Sequence, residues 1–314
     1  MSQLAGLILA AGVSSRMGKF KPLLDVDGRS MIRRVADRMA EAGASPILVV
    51  TGYRAQELEA HLDGLGVEFV RNARYYETQM MDSLILGLEQ LGPEVERVLL
   101  SPADIPLVQR DTLQALLQAE GKFICPVCQG ATGHPVVLHR SLFSRLRDYS
   151  GEGGLRGAVD ALDVPITQIE VEDPGTALDS DTRDEYAALL KYRRRQTSLP
   201  MPLQLDVQIC LQAETCFWDP GCAQFLELID TTGSMLGACQ CMHMSYSKGW
   251  TMINELERQL GFPVLIRSQG GSNGGGSSLT GQGKDLLTAY RALQTDVQAY
   301  SQAAFKKYFS QLGR

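Results

Sequence analysis

The sequence predicts an α/β fold with a doubly wound, mostly parallel sheet, followed by a smaller helical domain. Over residues 1–191, short apolar runs alternate with helical patterns, which is typical of the crossover units that build parallel sheets. A basic run followed by spaced prolines gives residues 192–202 the composition of a linker. Over residues 203–314 the pattern changes to helices, a glycine-rich stretch and a last helix, which indicates a second domain.

Composition and charge narrow the class of protein. Hydrophobic residues make up 44% and charged residues 21% of the 314 residues, as in globular domains. No apolar run reaches the about 18 residues of a membrane helix, and the apolar start lacks the basic region of a signal peptide. The seven cysteines are therefore expected to be reduced thiols, in a cytoplasmic protein without a membrane partner. A formal net charge of −6 gives no general case for nucleic-acid binding.

The elements of the first domain follow from local patterns. Apolar runs predict strands, and apolar residues at helical spacing predict helices. The predicted strands are 6–10, 46–50, 67–71, 97–100, 123–127 and 135–139. The predicted helices are 30–42, 54–62, 82–91, 111–120 and 183–190.

A loop rich in small and basic residues follows the first strand directly. Its segment 9–22 reads LAAGVSSRMGKFKP, and small residues let a backbone approach a ligand and cradle phosphate with free N–H groups. Ser14 and Ser15 add hydroxyl donors, and Arg16 and Lys21 add positive charge. The loop is neither a Walker loop nor a dinucleotide-binding loop. Since ligands bind at the carboxyl ends of such strands, it predicts a polyphosphate site; the alternative is a glycine turn with solvated charges.

Carboxylates follow later in the same domain. Asp104 lies between two prolines where the strand 97–100 ends, and Asp179 and Asp181 come shortly before the last predicted helix. Magnesium at phosphoryl-transfer sites is bound by one or two carboxylates together with substrate phosphates. These residues therefore indicate a magnesium site. The alternatives are a turn aspartate at Asp104 and a helix cap at Asp181.

Residues 5–190 resemble the MobA-like nucleoside-triphosphate transferases, especially the molybdenum cofactor cytidylyltransferases. Six pieces match in family order: LILAAGVSSRMGKFKPLL (7–24), VVTGY (49–53), DSLILGL (82–88), SPADIPLV (101–108), GHPVVL (133–138) and SDTRDEY (180–186). The resemblance implies a Rossmann-like nucleotidyltransferase domain. It also implies in-line attack of a phosphorylated acceptor, molybdopterin cofactor, on the α-phosphorus of a nucleoside triphosphate, with release of pyrophosphate.

The resemblance also implies roles for matched residues. Arg16, Lys21 and Asp104 would be catalytic, and magnesium would bind Asp104, Asp181 and Asp179. The acceptor would meet Gly133, His134 and Pro135. The nucleotide would be held by Leu9, Ala10, Ala11, Gly12, Ser14, Ser15, Arg16, Lys21, Gly52 and Ser83. Guanylyl-transferring relatives carry A-G-G where this chain has Ala10-Ala11-Gly12, which favours CTP, with GTP and a sugar or alcohol phosphate acceptor as open alternatives.

The second domain has the pattern of helix, turn, helix and wing. The predicted helices are 223–231, 235–242, 246–260 and one that begins at 284, with a hairpin at 263–280. Trp250, Ile253, Leu256 and Leu260 form the predicted inner face of the third helix. The segments LELIDTTGSM (226–235), MSYSKGWTMINELE (244–257) and GFPVLIRSQGGSNGGGSSLTGQG (261–283) resemble the winged helix-turn-helix of molybdate-responsive, LysR-like regulators.

That resemblance implies binding to DNA. The leading end of the recognition helix, Ser245, Tyr246, Ser247 and Lys248, would enter the major groove, and Arg267 would meet phosphates. From residue 201 onward there are eight Lys or Arg and nine Asp or Glu, a net charge of −1, so cations for phosphates are scarce unless a homodimer doubles the contacts. Two alternatives stay open: a former DNA-binding module now used for dimerisation or regulation, and a molybdenum- or nucleotide-responsive transcriptional regulator that uses the transferase fold as a sensor.

Overall fold

A computed structural model describes residues 3–13, 20–197, 205–267 and 276–309. The chain divides near residue 198 into two compact units. Among the helices within these ranges, none is both long enough and apolar enough to cross a membrane.

The first unit is built on an eight-stranded sheet. Its strands are β1 (Gln3–Ala10), β2 (Ile47–Thr51), β3 (Glu68–Arg71), β4 (Val95–Pro102), β5 (Phe123–Cys128), β6 (Ala131–Thr132), β7 (Val136–His139) and β8 (Ile166–Glu170). Their order is β3-β2-β1-β4-β7-β5-β6, with β8 beside β5. Strands β3, β2, β1 and β4 are parallel, as are β5 and β8, whereas β7 is antiparallel to both β4 and β5. The predicted doubly wound, mostly parallel sheet is confirmed.

The described residues of this unit form seven α-helices. They are α1 (Met31–Glu41), α2 (Ala55–Leu62), α3 (Met80–Glu89), α4 (Arg110–Gln118), α5 (Phe143–Arg147), α6 (Gly154–Ala161) and α7 (Arg183–Thr197). Short 3-10 helices lie at Lys21–Leu23, Arg140–Leu142 and Pro174–Thr176. Helix α1 begins where the Ser30 hydroxyl accepts the Arg33 N–H at 3.3 Å, a serine cap of the kind that the sequence favours. Residues 192–197, which composition placed in a linker, continue α7.

The core of the unit lies between the centre of the sheet and helices on its face. Leu7 on β1 and Leu84 on α3 are at most 2% exposed, as are Leu48 on β2 and Leu100 on β4. Gly87 of α3 lies directly over the Leu7 side chain, where a Cβ would collide with it. Because Gly87 has no side chain, α3 packs closely on the sheet, and its first turn reaches the carboxyl ends of the strands.

The register brings the carboxyl ends of three strands to one edge. Ala10 of β1 is paired with Thr51 of β2, and Leu9 of β1 is paired with Pro102 of β4. The Ala103 N–H donates to the Leu9 carbonyl at 3.0 Å, which holds the segment after β4 against β1. Residues that follow β1, β2 and β4 therefore lie side by side, as expected for a ligand site in an open α/β sheet.

The second unit contains the predicted helix-turn-helix and hairpin. Its elements are β9 (Leu211–Gln212), β10 (Cys216–Trp218), α8 (Pro220–Thr232), α9 (Met235–Cys241), α10 (Tyr246–Leu260), β11 (Leu265–Arg267), β12 (Ser277–Leu279) and α11 (Gly281–Phe309). The short hairpin of β9 and β10 was not predicted. The glycine-rich tip of the wing lies outside the described residues.

Helix α10 packs on its neighbours through the predicted face around Ile253 and Leu256, except that Gly249 takes the inner position predicted for Trp250. Gly249 is buried, and a Cβ there would lie 2.6 Å from the Cys239 sulfur and 2.8 Å from the Phe225 ring. Ile253 is fully buried, as predicted, but Trp250 is 38% exposed, so its placement on the inner face is wrong. The close helix contact at Gly249 takes the inner position, and the Trp250 ring turns outward.

Candidate active site

The segment after β1 meets the segment after β2 through the backbone. The Ala11 carbonyl accepts the Tyr53 N–H at 3.1 Å. A Cβ at Gly52 would lie 2.7 Å from that carbonyl and 2.9 Å from the Ala11 Cβ, so only glycine allows this approach. Gly12 is exposed and has open space around it, as a backbone that meets a ligand requires. Leu9 and Ala10 lie just before it; Ser14, Ser15 and Arg16 lie outside the described residues, and their roles stay predictions.

Lys21 joins this edge of the sheet to two distant carboxylates. It begins the 3-10 helix Lys21–Leu23 and is 8% exposed, unusually buried for a lysine. Its Nζ donates to the Asp181 Oδ1 and lies 3.5 Å from the Asp104 Oδ2. The structure thus brings together three of the residues that the sequence marked as catalytic or metal-binding, although Lys21 and Asp181 are 160 positions apart.

Asp179 adds a third acidic group to the cluster. Burial raises the pKa of Asp179, and the Asp181 and Asp104 carboxylates raise it further, while Lys21 opposes the shift. Within the part of the chain that the structure describes, the carboxylates of this cluster outnumber the lysine that faces them. Such an excess of negative charge favours the binding of another cation.

The donor set of the cluster fits a divalent ion only in part. Within the described ranges, no group of three or more His, Cys, Asp or Glu side chains is arranged to hold a metal ion. Asp104 and Asp181 nevertheless converge on one cationic group, the Lys21 ammonium. Two carboxylates that complete their coordination with substrate phosphates are the donors that magnesium takes at phosphoryl-transfer sites. Asp104 and Asp181 would hold the ion, and Asp179 stays a predicted ligand.

The predicted acceptor residues form a turn between β6 and β7. The His134 N–H donates to the Thr176 carbonyl at 2.7 Å, and the Gly133 N–H donates to the Pro126 carbonyl at 2.9 Å. Pro135 is buried. Among the described residues, the buried His134 Nδ1 has no hydrogen-bond partner. Burial lowers the pKa of His134, and the nearby Asp104 carboxylate only partly opposes that shift, so the ring is neutral at neutral pH.

Ser83 is held in a polar network that the sequence analysis missed. Ser83 is 4% exposed, and its Oγ accepts from the Asn72 Nδ2 at 3.1 Å. The same amide donates to the Thr78 Oγ1 at 2.8 Å, and the Asn72 Oδ1 accepts the Arg74 N–H at 3.1 Å. Asn72 follows β3 directly, so the rule that drew attention to Asp104, a polar residue at a strand's carboxyl end, would have found it.

The predicted DNA-binding residues lie at the beginning of α10. Ser245 caps the helix by accepting the Lys248 N–H at 3.3 Å, and residues 245–248 are all exposed. Arg267 of β11 lies with its guanidinium 4.5 Å from the centre of the Trp250 ring and 3.4 Å from the Glu257 carboxylate. Its charge is therefore shared with Glu257 rather than free for a phosphate alone. The roles of these residues in binding DNA stay predictions.

Comparisons with known families match both units. The family described as MobA-like NTP transferase domain matches residues 6–166, about half of the chain. The family of bacterial regulatory helix-turn-helix proteins of the lysR type matches residues 223–284. The first match contains Lys21, Asp104 and His134, and the second contains α9 and α10.

Individual relatives agree with the family match. The molybdenum cofactor cytidylyltransferase of Escherichia coli K12 is 28% identical over 191 residues, which cover 59% of this chain and 95% of that protein. The crystal structure of Rv0371c from Mycobacterium tuberculosis H37Rv is 26% identical, with a TM-score of 0.55 over 60% of this chain and 98% of that one. A structure of the same protein described as a complex with manganese has a TM-score of 0.50 at the same identity and coverage.

The lysine between two aspartates and the family match agree with one another. The chain belongs to the MobA-like NTP transferase family, and it is a nucleotidyltransferase that carries a LysR-type helix-turn-helix domain after its transferase domain.

Proposed function

We propose that the first unit transfers CMP from CTP to a molybdopterin-type acceptor phosphate and releases pyrophosphate. The observation that carries the proposal is the convergence of Lys21, Asp104 and Asp181 beside the segment that follows β1. A nucleoside triphosphate on that segment would present its phosphates to one fixed positive charge and two carboxylates. These groups can position the phosphates and, with a bound metal ion, neutralise the charge that develops during transfer.

The reaction needs no covalent intermediate on the enzyme. An oxygen of the acceptor phosphate attacks the α-phosphorus, the bond to the oxygen that bridges the α- and β-phosphorus breaks, and pyrophosphate leaves with that electron pair. Magnesium, held by Asp104 and Asp181 with the phosphates, supplies neutralisation of the developing charge when bound. Lys21 stabilises the leaving phosphates with its ammonium. His134, neutral and with a ring nitrogen that lacks a partner in the described structure, orients the acceptor phosphate.

The choice of nucleotide and acceptor rests on the loop sequence and on the relatives. Ala10-Ala11-Gly12 replaces the A-G-G of guanylyl-transferring relatives, and a relative that covers 59% of this chain is named a molybdenum cofactor cytidylyltransferase. The manganese complex of Rv0371c supports a divalent cation. GTP, and a sugar or alcohol phosphate acceptor, are the alternatives.

Pyrophosphate release tests the proposed transferase. The purified protein is incubated with magnesium, each nucleoside triphosphate in turn, and molybdopterin-type cofactor. We expect release with CTP and the mass of a CMP adduct on the cofactor, and neither product when the cofactor is omitted. Release of pyrophosphate with GTP and not with CTP would show that GTP is the nucleotide substrate. Release only with another acceptor phosphate would show that molybdopterin is not the acceptor. No release with any combination would contradict the proposed activity.

We further propose that the second unit binds DNA through the beginning of α10. Tyr246 is 47% exposed, and Lys248 is exposed beside it, at the end of the helix that enters the major groove in helix-turn-helix domains. A regulator that senses nucleotide or molybdenum through the transferase fold would use this surface. Such a regulator would change its affinity for DNA when CTP or molybdopterin is added, whereas an accessory domain would not.

Lys248→Ala tests the DNA surface. One lost phosphate contact weakens binding about tenfold and lowers the slope of log K against log salt by about 1 per subunit. Arg258→Ala is the matched control: Arg258 lies in the last turn of the same helix, and its guanidinium is bound to Glu255 and Glu214. Fluorescence anisotropy with duplex DNA over a salt series gives both quantities. Equal affinities and slopes for the two variants would exclude the beginning of α10 as the DNA surface.

A further inference from the structure

A buried carboxylate outside the predicted site, Asp173, has an unusual number of hydrogen-bond donors. It is 2% exposed and precedes the 3-10 helix Pro174–Thr176. The Oδ2 accepts the Gln109 N–H and the Thr112 hydroxyl, both at 2.8 Å. The Oδ1 accepts the Gly175 N–H and the Tyr192 hydroxyl at 3.0 Å, and the Gln109 side-chain amide at 3.2 Å. Five donors use all the lone pairs of a carboxylate, so Asp173 has none left for a metal ion.

The first effect of Asp173 is on the segment that carries Asp104. Gln109 and Thr112 lie at the beginning of α4, just after that segment, and both donate to the Oδ2. Gly175 lies against the Leu107 carbonyl so closely that a Cβ would collide with it. The segment from Asp104 to α4 is thus fixed at its far end by one side chain.

The second effect is on the acceptor turn. Thr176 donates its hydroxyl to the Asp173 carbonyl at 2.9 Å, and its own carbonyl accepts the His134 N–H at 2.7 Å. A Cβ at Gly133 would lie 2.5 Å from that same carbonyl, so the turn packs directly on Thr176. The position of His134 therefore depends on the short helix that Asp173 begins.

The third effect is on the late carboxylates. Asp179 and Asp181 follow Thr176 within five residues, and then α7 begins. The Tyr192 hydroxyl of α7 donates to the Asp173 Oδ1 at 3.0 Å. The segment with the two aspartates therefore lies between two contacts with Asp173, one through the 3-10 helix before it and one through Tyr192 in the middle of α7.

We infer that Asp173 is a positioning residue for nucleotidyl transfer: it sets where Asp104, Asp181 and His134 stand relative to one another. Three segments that are distant in sequence meet at this one carboxylate, and each carries a residue that acts on the phosphates or the acceptor. A displacement of about 1 Å between such groups costs roughly 100-fold in rate. The part of the inference that concerns the acceptor rests on the proposed function; the part that concerns Asp104 and Asp181 does not.

Asp173→Asn tests the inference with a nearly identical shape. Each carboxylate oxygen accepts from a backbone N–H, Gln109 on one side and Gly175 on the other. An asparagine must therefore point its NH₂ group at one of these two donors, whichever way it is flipped. We expect kcat/KM to fall about 100-fold, with a KM for the acceptor that rises more than the KM for CTP.

Manganese binding supplies a readout that does not depend on turnover. With CTP present, the free Mn²⁺ signal in electron paramagnetic resonance reports the affinity of the site that Asp104 and Asp181 share. We expect that affinity to fall about tenfold in Asp173→Asn. Asp160→Asn, the same change at an exposed aspartate of α6 that pairs with Arg156, is the matched control and should leave kcat/KM and Mn²⁺ affinity as in the wild type. Tyr192→Phe removes one donor and leaves both backbone donors in place, so it should lower both quantities less than threefold.

The outcomes separate the inference from the proposed function. A merely structural role would lower the melting temperature and the active fraction, measured by CTP binding, but would leave both KM values and the Mn²⁺ affinity as in the wild type; that result overturns the inference. If Asp173→Asn does not fold, the double variant Thr112→Val/Tyr192→Phe, which keeps both backbone donors, takes its place. In that variant kcat/KM should fall about fivefold, and the KM for the acceptor should again rise more than the KM for CTP. If the wild type releases no pyrophosphate but Asp173→Asn still binds Mn²⁺ more weakly than the wild type, the proposed reaction is refuted and the positioning role is kept.

Discussion

Replacing Asp104 with alanine should lower kcat/KM by at least about 10³-fold and leave the fold intact. Asp104 supplies one of the two carboxylates that converge on Lys21, and its side chain is 25% exposed. Loss of a ligand to a catalytic ion removes several kcal/mol of charge stabilisation, and about 1.4 kcal/mol corresponds to each tenfold loss in rate. The cost in stability should be small because Lys21 keeps its contact with Asp181.

A control for Asp104→Ala removes another carboxylate from the same region of the chain. Asp111, exposed in the first turn of α4, is the matched control, and Asp111→Ala should keep wild-type kinetics. Initial rates of pyrophosphate release give kcat/KM, and thermal melts by circular dichroism give the stability of both variants. Wild-type activity in a folded Asp104→Ala protein would refute the role of Asp104 in the reaction.

Asp104 illustrates why part of the site could be predicted from the sequence. In a parallel sheet the carboxyl ends of neighbouring strands meet at one edge, so the segments after β1, β2 and β4 must be close once the strands are recognised. The pairings of Ala10 with Thr51 and of Leu9 with Pro102 have that consequence. Apolar runs identify such strands well because a buried strand has to be apolar on both faces.

The residues that the sequence did not reveal act through contacts across long separations. Asp173 accepts from Gln109, 64 positions earlier, and nothing in the local pattern distinguishes it from an aspartate in a proline-glycine turn. Residues 192–197 have the composition of a linker, yet they continue α7, and Tyr192 there is bound to Asp173. Tertiary contacts override composition at both places.

The inner face of α10 shows why hydrophobic periodicity alone misplaced Trp250. Periodicity places Trp250 and Ile253 on one stripe, and burial of the larger side chain is the natural expectation. In the structure the closest helix contact is made by Gly249, which has no side chain to contribute to an apolar pattern. A count of hydrophobic residues cannot detect a glycine that allows two helices to approach, so Trp250 was predicted in the position that Gly249 occupies, while Ile253 and Leu256 are buried as predicted.

Lys21→Met should lower kcat about 100-fold and at the same time strengthen the binding of magnesium. The methionine keeps an unbranched stem in a site where Lys21 is 8% exposed, but it removes the ammonium that faces Asp104 and Asp181. Without that ammonium the leaving phosphates lose a fixed positive charge, which slows transfer. The two carboxylates also lose their competing cation, so the magnesium concentration that gives half-maximal rate should fall.

A lower kcat together with tighter magnesium binding distinguishes this role of Lys21 from a general loss of activity. Initial rates over a magnesium series give kcat and the half-saturating concentration separately, and a thermal melt should show a loss of about 1–3 kcal/mol in the free energy of unfolding because the two carboxylates lose the ammonium that faces them. A weaker magnesium requirement with a lower kcat would place Lys21 and the ion on the same carboxylates. If the half-saturating concentration rises instead, Lys21 supports the metal site rather than competing for it, and the role of its ammonium in charge neutralisation is refuted. In the double variant Lys21→Met/Asp104→Ala, a loss smaller than the product of the single losses is expected, because both residues act on the same phosphates.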